Sequence, residues 1–186
     1  MVYQTEGRSG SHTQVSLVKQ PWDEYHGRML GRTYDQVCSV ARTLEVVGER
    51  WTILILRDAL IGVRRFDNFL NRLGIARNVL TDRLNRLVDS GIMERVAYQE
   101  RPLRHEYRLT RKGLELSPVI FTLMEWGDRY ISYEDGPPRV LEHAGCGGHV
   151  VTQLACEDCG RPLAVDEVTN RPGPGATAQQ LSVAAT

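Results

Sequence analysis

The sequence predicts a mainly α fold with a small β-hairpin, followed by a small Cys/His-rich β module at the C-terminus. Three observations carry this. Between Cys38 and Asp89, apolar residues recur at helical spacing in successive segments. From Ile92 to Leu109 the spacing shortens to strand-like alternation. Beyond Pro137 and Pro138 the composition changes, and two turns rich in metal-ligand residue types appear, HAGCG and CEDCG.

A chain of 186 residues accommodates one domain and a small second module. Residues 1–35 are polar and lack a sustained period, so they read as a flexible extension, with Pro21, Trp22 and Tyr25 as anchors. Residues 36–133 carry the periodic segments, residues 139–169 the Cys/His-rich module, and residues 170–186 a Pro-, Gly- and Ala-rich tail expected to be disordered.

Within the main domain, CSVARTLEVV (Cys38 to Val47) predicts a short helix with Val40, Leu44 and Val47 inward. Glu49 to Ile61 is the most apolar segment, too apolar for a single stripe, and is expected at the centre of the core, ended by Gly62. Arg64 to Leu73 places Phe66, Phe69, Leu70 and Leu73 at i, i+3, i+4 and i+7. Gly74 permits a sharp turn, and Arg77 to Asp89 follows as an amphipathic helix. Leu80, Leu84, Leu87 and Val88 share one face of it; Asn78, Asp82, Asn85 and Asp89 share the other, with Arg77 and Thr81 beside the first turn. Two short helices around a Gly-containing turn, the second with a polar outer face, make a helix-turn-helix pattern.

Ile92 to Tyr98 and His105 to Leu109 then read as two strands joined by the basic loop Gln99 to Arg104, which makes a wing. The whole is a winged helix-turn-helix domain. Thr110 is placed to cap a last helix from Arg111 to Tyr133, which Pro118 should kink or divide. Its apolar residues Leu114, Val119, Leu123, Trp126 and Ile131 serve either a dimer contact or the core.

Charge and composition narrow the function. The net charge is zero, yet Arg64 to Lys112 holds twelve basic and six acidic residues, a net of +6. Glu134 to Thr186 holds three basic and seven acidic residues, a net of −4. A basic middle suits an anionic partner, and the amides, hydroxyl and guanidiniums of the Arg77–Asp89 segment are groups that read base edges and phosphates of duplex DNA. No run is long and apolar enough for a membrane helix, and no secretory leader pattern opens the chain, so a cytoplasmic protein without membrane contact is expected. No phosphate loop, Gly-x-Ser-x-Gly or His-Glu-x-x-His occurs, which speaks against an enzyme. The competing reading is a winged protein-interaction module, stabilised by zinc, that does not bind specific DNA.

In a reducing compartment, four cysteines point to metal or redox chemistry more than to disulfides. His143, Cys146, Cys156 and Cys159 have the spacing of a tetrahedral structural Zn2+ site of the zinc-ribbon kind. His149 in place of His143, a metal-free Cys156–Cys159 redox pair, and idle thiols remain alternatives. A module of this size lacks an adequate core without such a staple.

From Cys38 to Tyr130 the chain resembles the HxlR family of bacterial winged helix-turn-helix regulators. The matching stretches are Cys38 near the start of the first helix, VGERWTILILRDAL, GVRRFDNF, LGIARNVLTDRLNRLVDSGIMER, the wing ending HEYRLTRKG, and Trp126. The resemblance implies a transcription factor, more often a repressor, that binds a two-fold DNA operator as a homodimer through its terminal helices, with a small-molecule or thiol-reactive effector as a further possibility. Carried over by position, Arg64 and Arg65 open the first helix of the motif and touch phosphates. Arg77, Asn78, Thr81 and Asp82 enter the groove. Arg83 and Arg86 suit phosphates, and Arg101 and Arg104 reach from the wing. Asp82 is anomalous unless it accepts from cytosine or orients an arginine. Cys38 is either a redox sensor at a helix N-terminus or a small packed residue. The resemblance says little about the cysteine module.

Overall fold

The computed structural model describes residues 34–131 and 134–183, so the expected extension over residues 1–35 lies almost wholly outside them. Four helices come first: α1 (Ser39–Val47), α2 (Arg50–Leu60), α3 (Phe66–Leu73) and α4 (Arg77–Asp89). Strands β1 (Met93–Glu100) and β2 (Leu103–Leu109) form an antiparallel hairpin. Helices α5 (Arg111–Leu114) and α6 (Ser117–Tyr130) follow. Beyond them lie a two-residue pairing of β3 (Leu154–Ala155) with β4 (Pro162–Leu163), a 3-10 turn (Val165–Glu167) and α7 (Ala178–Val183).

One core unites α1 to α4, the wing and α6. Ile55, Leu56, Phe69, Leu80, Leu84, Leu87, Met93 and Ile120 are buried together. Leu80, Leu84 and Leu87 are the inner stripe of α4, and that stripe pins the helix to the domain while its other face stays wet. Helix α2 is central to the core as expected, through Ile55 and Leu56, but it also buries a charge. Asp58 is fully buried and accepts from Arg57 at 3.0 Å and from Arg72 of α3 at 3.2 Å. Buried charge persists only when paired in this way.

Several expectations are corrected. Val40 and Leu44 do not point inward; both are exposed on α1, whereas Ala41 and Val47 are buried. The helix expected from Arg64 begins at Phe66. Arg64 and Arg65 are instead extended backbone that pairs with the wing: Tyr107 N–H donates to the Arg64 carbonyl at 2.7 Å, and Arg65 bridges Glu106. The six-residue wing loop shrinks to a turn at Arg101 and Pro102, because Gln99 and Glu100 pair with Arg104 and Leu103. Pro118 divides the last helix: it sits in the first turn of α6, where a missing N–H costs nothing. The tail is not wholly irregular, since Thr177 caps α7 and Gln180 donates to the Val37 carbonyl at 2.9 Å.

Local chemistry explains the joints. Gly74 closes α3 at φ +60, a left-handed conformation that glycine adopts without strain, and the chain turns straight into α4. Thr110 Oγ1 donates to the Gly91 carbonyl at 2.7 Å and accepts from Gly113 N–H at 3.2 Å. Lys112 Nζ donates to the Ser90 carbonyl at 2.7 Å, and its partial burial lowers its pKa from the ordinary lysine value. These bonds fix the wing relative to the end of α4.

Candidate nucleic-acid interface

The outer face of α4 is exposed at Arg77, Asn78, Thr81, Asp82 and Asn85. No side chain caps its N-terminus at Ala76, so the first-turn N–H groups point outward unclaimed by a cap. Arg77 is steered by α3: its guanidinium lies 5.0 Å from the Phe66 ring centroid and 3.5 Å from Asp67. Thr81 Oγ1 donates to the Arg77 carbonyl at 2.9 Å, which leaves an acceptor lone pair and a methyl group outward. Asn78 is exposed and pairs with no described residue. Asp82 holds Arg86 at 3.0 Å, so the carboxylate is shared with a cation one turn on.

Arg83 differs from its neighbours. Its side chain is only 16% exposed and lies 3.5 Å from Glu49 and 3.6 Å from Asp82. It ties α4 to the start of α2 and presents little to solvent.

Arg64, Arg65, Arg101 and Arg104 are all exposed. The Arg65 guanidinium lies over the Tyr98 ring at 4.8 Å, linking the segment before α3 to the wing. Arg95, also exposed on β1, was not among the residues expected from sequence. Strand alternation alone does not separate it from an ordinary solvated arginine. The ties Arg77–Asp67, Arg65–Tyr98 and Arg83–Glu49 were missed as well, because each joins separate elements and none has a sequence spacing that reveals it.

Cys38 is half-buried at the N-cap of α1, and its side chain makes no capping hydrogen bond. The C-terminal residues form two similar turns. In the first, Gly147 N–H donates to the His143 carbonyl at 2.8 Å, and His143 Nδ1 lies 3.2 Å from Cys146 Sγ. In the second, Gly160 N–H donates to the Cys156 carbonyl at 2.8 Å. Hydrogen bonds from the backbone of Cys159 and Asp158 and from the Cys159 side chain lower the pKa of the Cys156 thiol. Among the described residues, no three His, Cys, Asp or Glu side chains gather closely enough to hold a metal ion. The four expected ligands thus stand as two pairs. No helix among the described residues is long and apolar enough to cross a membrane.

Comparison with known proteins bears on the whole arrangement. Residues 46–135 match the model of the HxlR-like helix-turn-helix family. An uncharacterized HTH-type transcriptional regulator of Mycobacterium tuberculosis is 49% identical over 144 residues, spanning 77% of this chain and 91% of that one. One from Synechocystis is 34% identical over 110 residues, spanning 59% and 82%. Among solved structures, PA1607, described as a candidate transcription factor, aligns with TM-score 0.66 at 37% identity, covering 75% of this chain and 97% of that one. PA1374 of Pseudomonas aeruginosa, described likewise, aligns with TM-score 0.55 at 41% identity, covering 78% and 99%. The family match runs from the end of α1 through the hairpin and α6 and so includes all of α4, and the chain belongs to the HxlR-like helix-turn-helix family of transcriptional regulators.

Proposed function

We propose that this regulator acts as a homodimer that lays α4 of each subunit into successive major grooves of a two-fold operator, repressing transcription where it binds. The observation that carries the reading is the α4 face itself: an uncapped helix N-terminus, with Arg77, Asn78 and Thr81 exposed above a fully apolar inner stripe. Arg77 suits a bidentate contact to guanine and Asn78 one to adenine. Asp82 orients Arg86 toward phosphate, which resolves its anomaly. Arg64, Arg65, Arg101 and Arg104 supply phosphate or minor-groove contacts on either side. Arg83 is assigned to holding α4 in place.

The dimer half of the proposal rests on α6. Val119, Leu123, Trp126 and Tyr130 recur along one face at i, i+4, i+7 and i+11 and are all exposed, with Trp126 and Tyr130 rings 5.3 Å apart. A contiguous apolar stripe of this kind is what a subunit contact covers. Val40 and Leu44 of α1 are apolar and exposed too.

Selection of binding sites from random duplex DNA with the full-length protein tests the reading. The expected product is an inverted repeat with half-site centres about 10 bp, or a multiple, apart, bound with steep salt dependence. Recovery of no preferred sequence would favour the protein-interaction alternative.

A further inference from the structure

The C-terminal module raises a question that DNA binding does not answer: what holds it together. Between residues 139 and 169 no residue is buried, and only Leu141, Thr152, Cys156 and Leu163 are even half-buried. Val151 and Val165 are 70% and 81% exposed. Two-residue strands over so little apolar contact do not offset the conformational entropy of ordering the thirty-one residues from 139 to 169.

The two turns are built alike. His143-x-x-Cys146-Gly147 and Cys156-x-x-Cys159-Gly160 each route the N–H of the glycine back to the carbonyl of the first ligand-type residue. Each glycine is left-handed, at φ +70 and φ +65, where a side chain would be strained. Each turn also sits at the tip of a small antiparallel pairing. Glu142 bridges His149 around the first, and Leu154–Ala155 pairs with Pro162–Leu163 around the second. In the first, the two donor atoms are turned to the same side, with His143 Nδ1 3.2 Å from Cys146 Sγ; in the second, Cys156 and Cys159 flank the equivalent turn, closed by the Gly160 N–H on the Cys156 carbonyl. All four cysteines of the described chain are free thiols.

We propose that the two turns are preformed halves of one tetrahedral zinc site, and that Zn2+ binding draws His143, Cys146, Cys156 and Cys159 of one chain together. Three thiolates and one imidazole suit Zn2+ over hard cations, and four protein ligands close the site, which makes it structural. The metal supplies the cross-link that the module's missing core does not. Thr152 lies between the two halves and hydrogen-bonds Glu125 of α6 through both its N–H and its hydroxyl. Closing the site therefore also fixes the loop that rests on α6.

The test uses the full-length reduced protein and needs no DNA, so its outcome is independent of the operator reading. Zinc analysis after gel filtration is expected to give one Zn2+ per chain. Replacement by Co2+ is expected to give the intense visible bands of a tetrahedral thiolate site. Cys146→Ser and Cys159→Ser should each abolish tight binding, His143→Ala should weaken it at least tenfold, and Cys38→Ser and His149→Ala should leave it unchanged. Failure of the reduced wild-type protein to take up either metal overturns the proposal without reliance on any variant. So does retention of full affinity in Cys146→Ser, or a Cys156–Cys159 disulfide in protein purified without oxidant.

Discussion

Asp58 and Asp82 show how one residue type serves two ends. Asp58 is fully buried between Arg57 and Arg72 and locks α2 to α3. Asp58→Ala should lower unfolding free energy by about 2 kcal/mol, since both arginines keep partial access to water when it is gone. Chemical denaturation checks this, with an unchanged slope against denaturant. Asp82 is exposed and forms an ion pair with Arg86 one turn on. At the tip of the wing, Arg101 is exposed and belongs to the turn joining β1 to β2. Arg101→Ala should weaken binding to all duplexes about equally and reduce the salt slope by roughly one. Titrations at several salt concentrations measure both quantities, and a loss confined to one sequence would move Arg101 into base reading.

At the scale of elements, the loop carrying Thr152 rests on α6 through Glu125. Those hydrogen bonds, and to a lesser degree nearby Arg129, lower the Glu125 pKa below the ordinary glutamate value. A carboxylate whose folded pKa is lowered stabilises the folded contact above its unfolded pKa and loses that contribution as pH falls through the folded value. The Thr152 amide should therefore stay protected from hydrogen exchange at the ordinary glutamate pKa and lose protection only on further acidification. Glu125→Gln should weaken the protection wherever the wild-type carboxylate is ionised, and the two proteins should converge below the folded Glu125 pKa. Loss of protection already near neutral pH in the wild-type protein would show that the loop does not depend on this carboxylate.

How far the elements were legible follows from where their signals lie. The bounds of α4 were readable because Leu80, Leu84 and Leu87 keep strict helical period between two turn signals. The division at Pro118 and the cap at Thr110 were readable because proline and threonine act on their own neighbours. The pairing of Arg64 and Arg65 with β2 was not, since a third strand segment of two residues carries no alternation. The direction of Val40 and Leu44 was misread for another reason: period locates an apolar stripe but does not say whether the chain's own core or another surface covers it. At the candidate interface, the polar face was visible in the sequence, whereas the withdrawal of Arg83 toward Glu49 depended on how α2 and α4 pack.

On the scale of the whole molecule, three surfaces bear on the proposed function: the α4 face, the basic wing and the apolar stripe of α6. Replacing Leu123 and Trp126 together by glutamate should place charge in the proposed subunit contact and leave a folded monomer, because both side chains are exposed and fill no part of the core. Sedimentation should show the shift to monomer, and affinity for a two-fold site should fall at least a hundredfold as the linkage between half-sites is lost. A dimer that survives both substitutions would place the contact elsewhere.

The proposed reading of base sequence by the exposed face of α4 is tested most directly by the ratio of affinities for the selected operator and a scrambled duplex, measured at one salt concentration for the wild-type protein and for Arg77→Ala with Asn78→Ala. Each good bidentate contact carries roughly 1–3 kcal/mol of discrimination. The ratio should fall by at least tenfold in the double variant while affinity for the scrambled duplex changes little. An unchanged ratio would contradict the proposal and remove α4 from the reading of sequence.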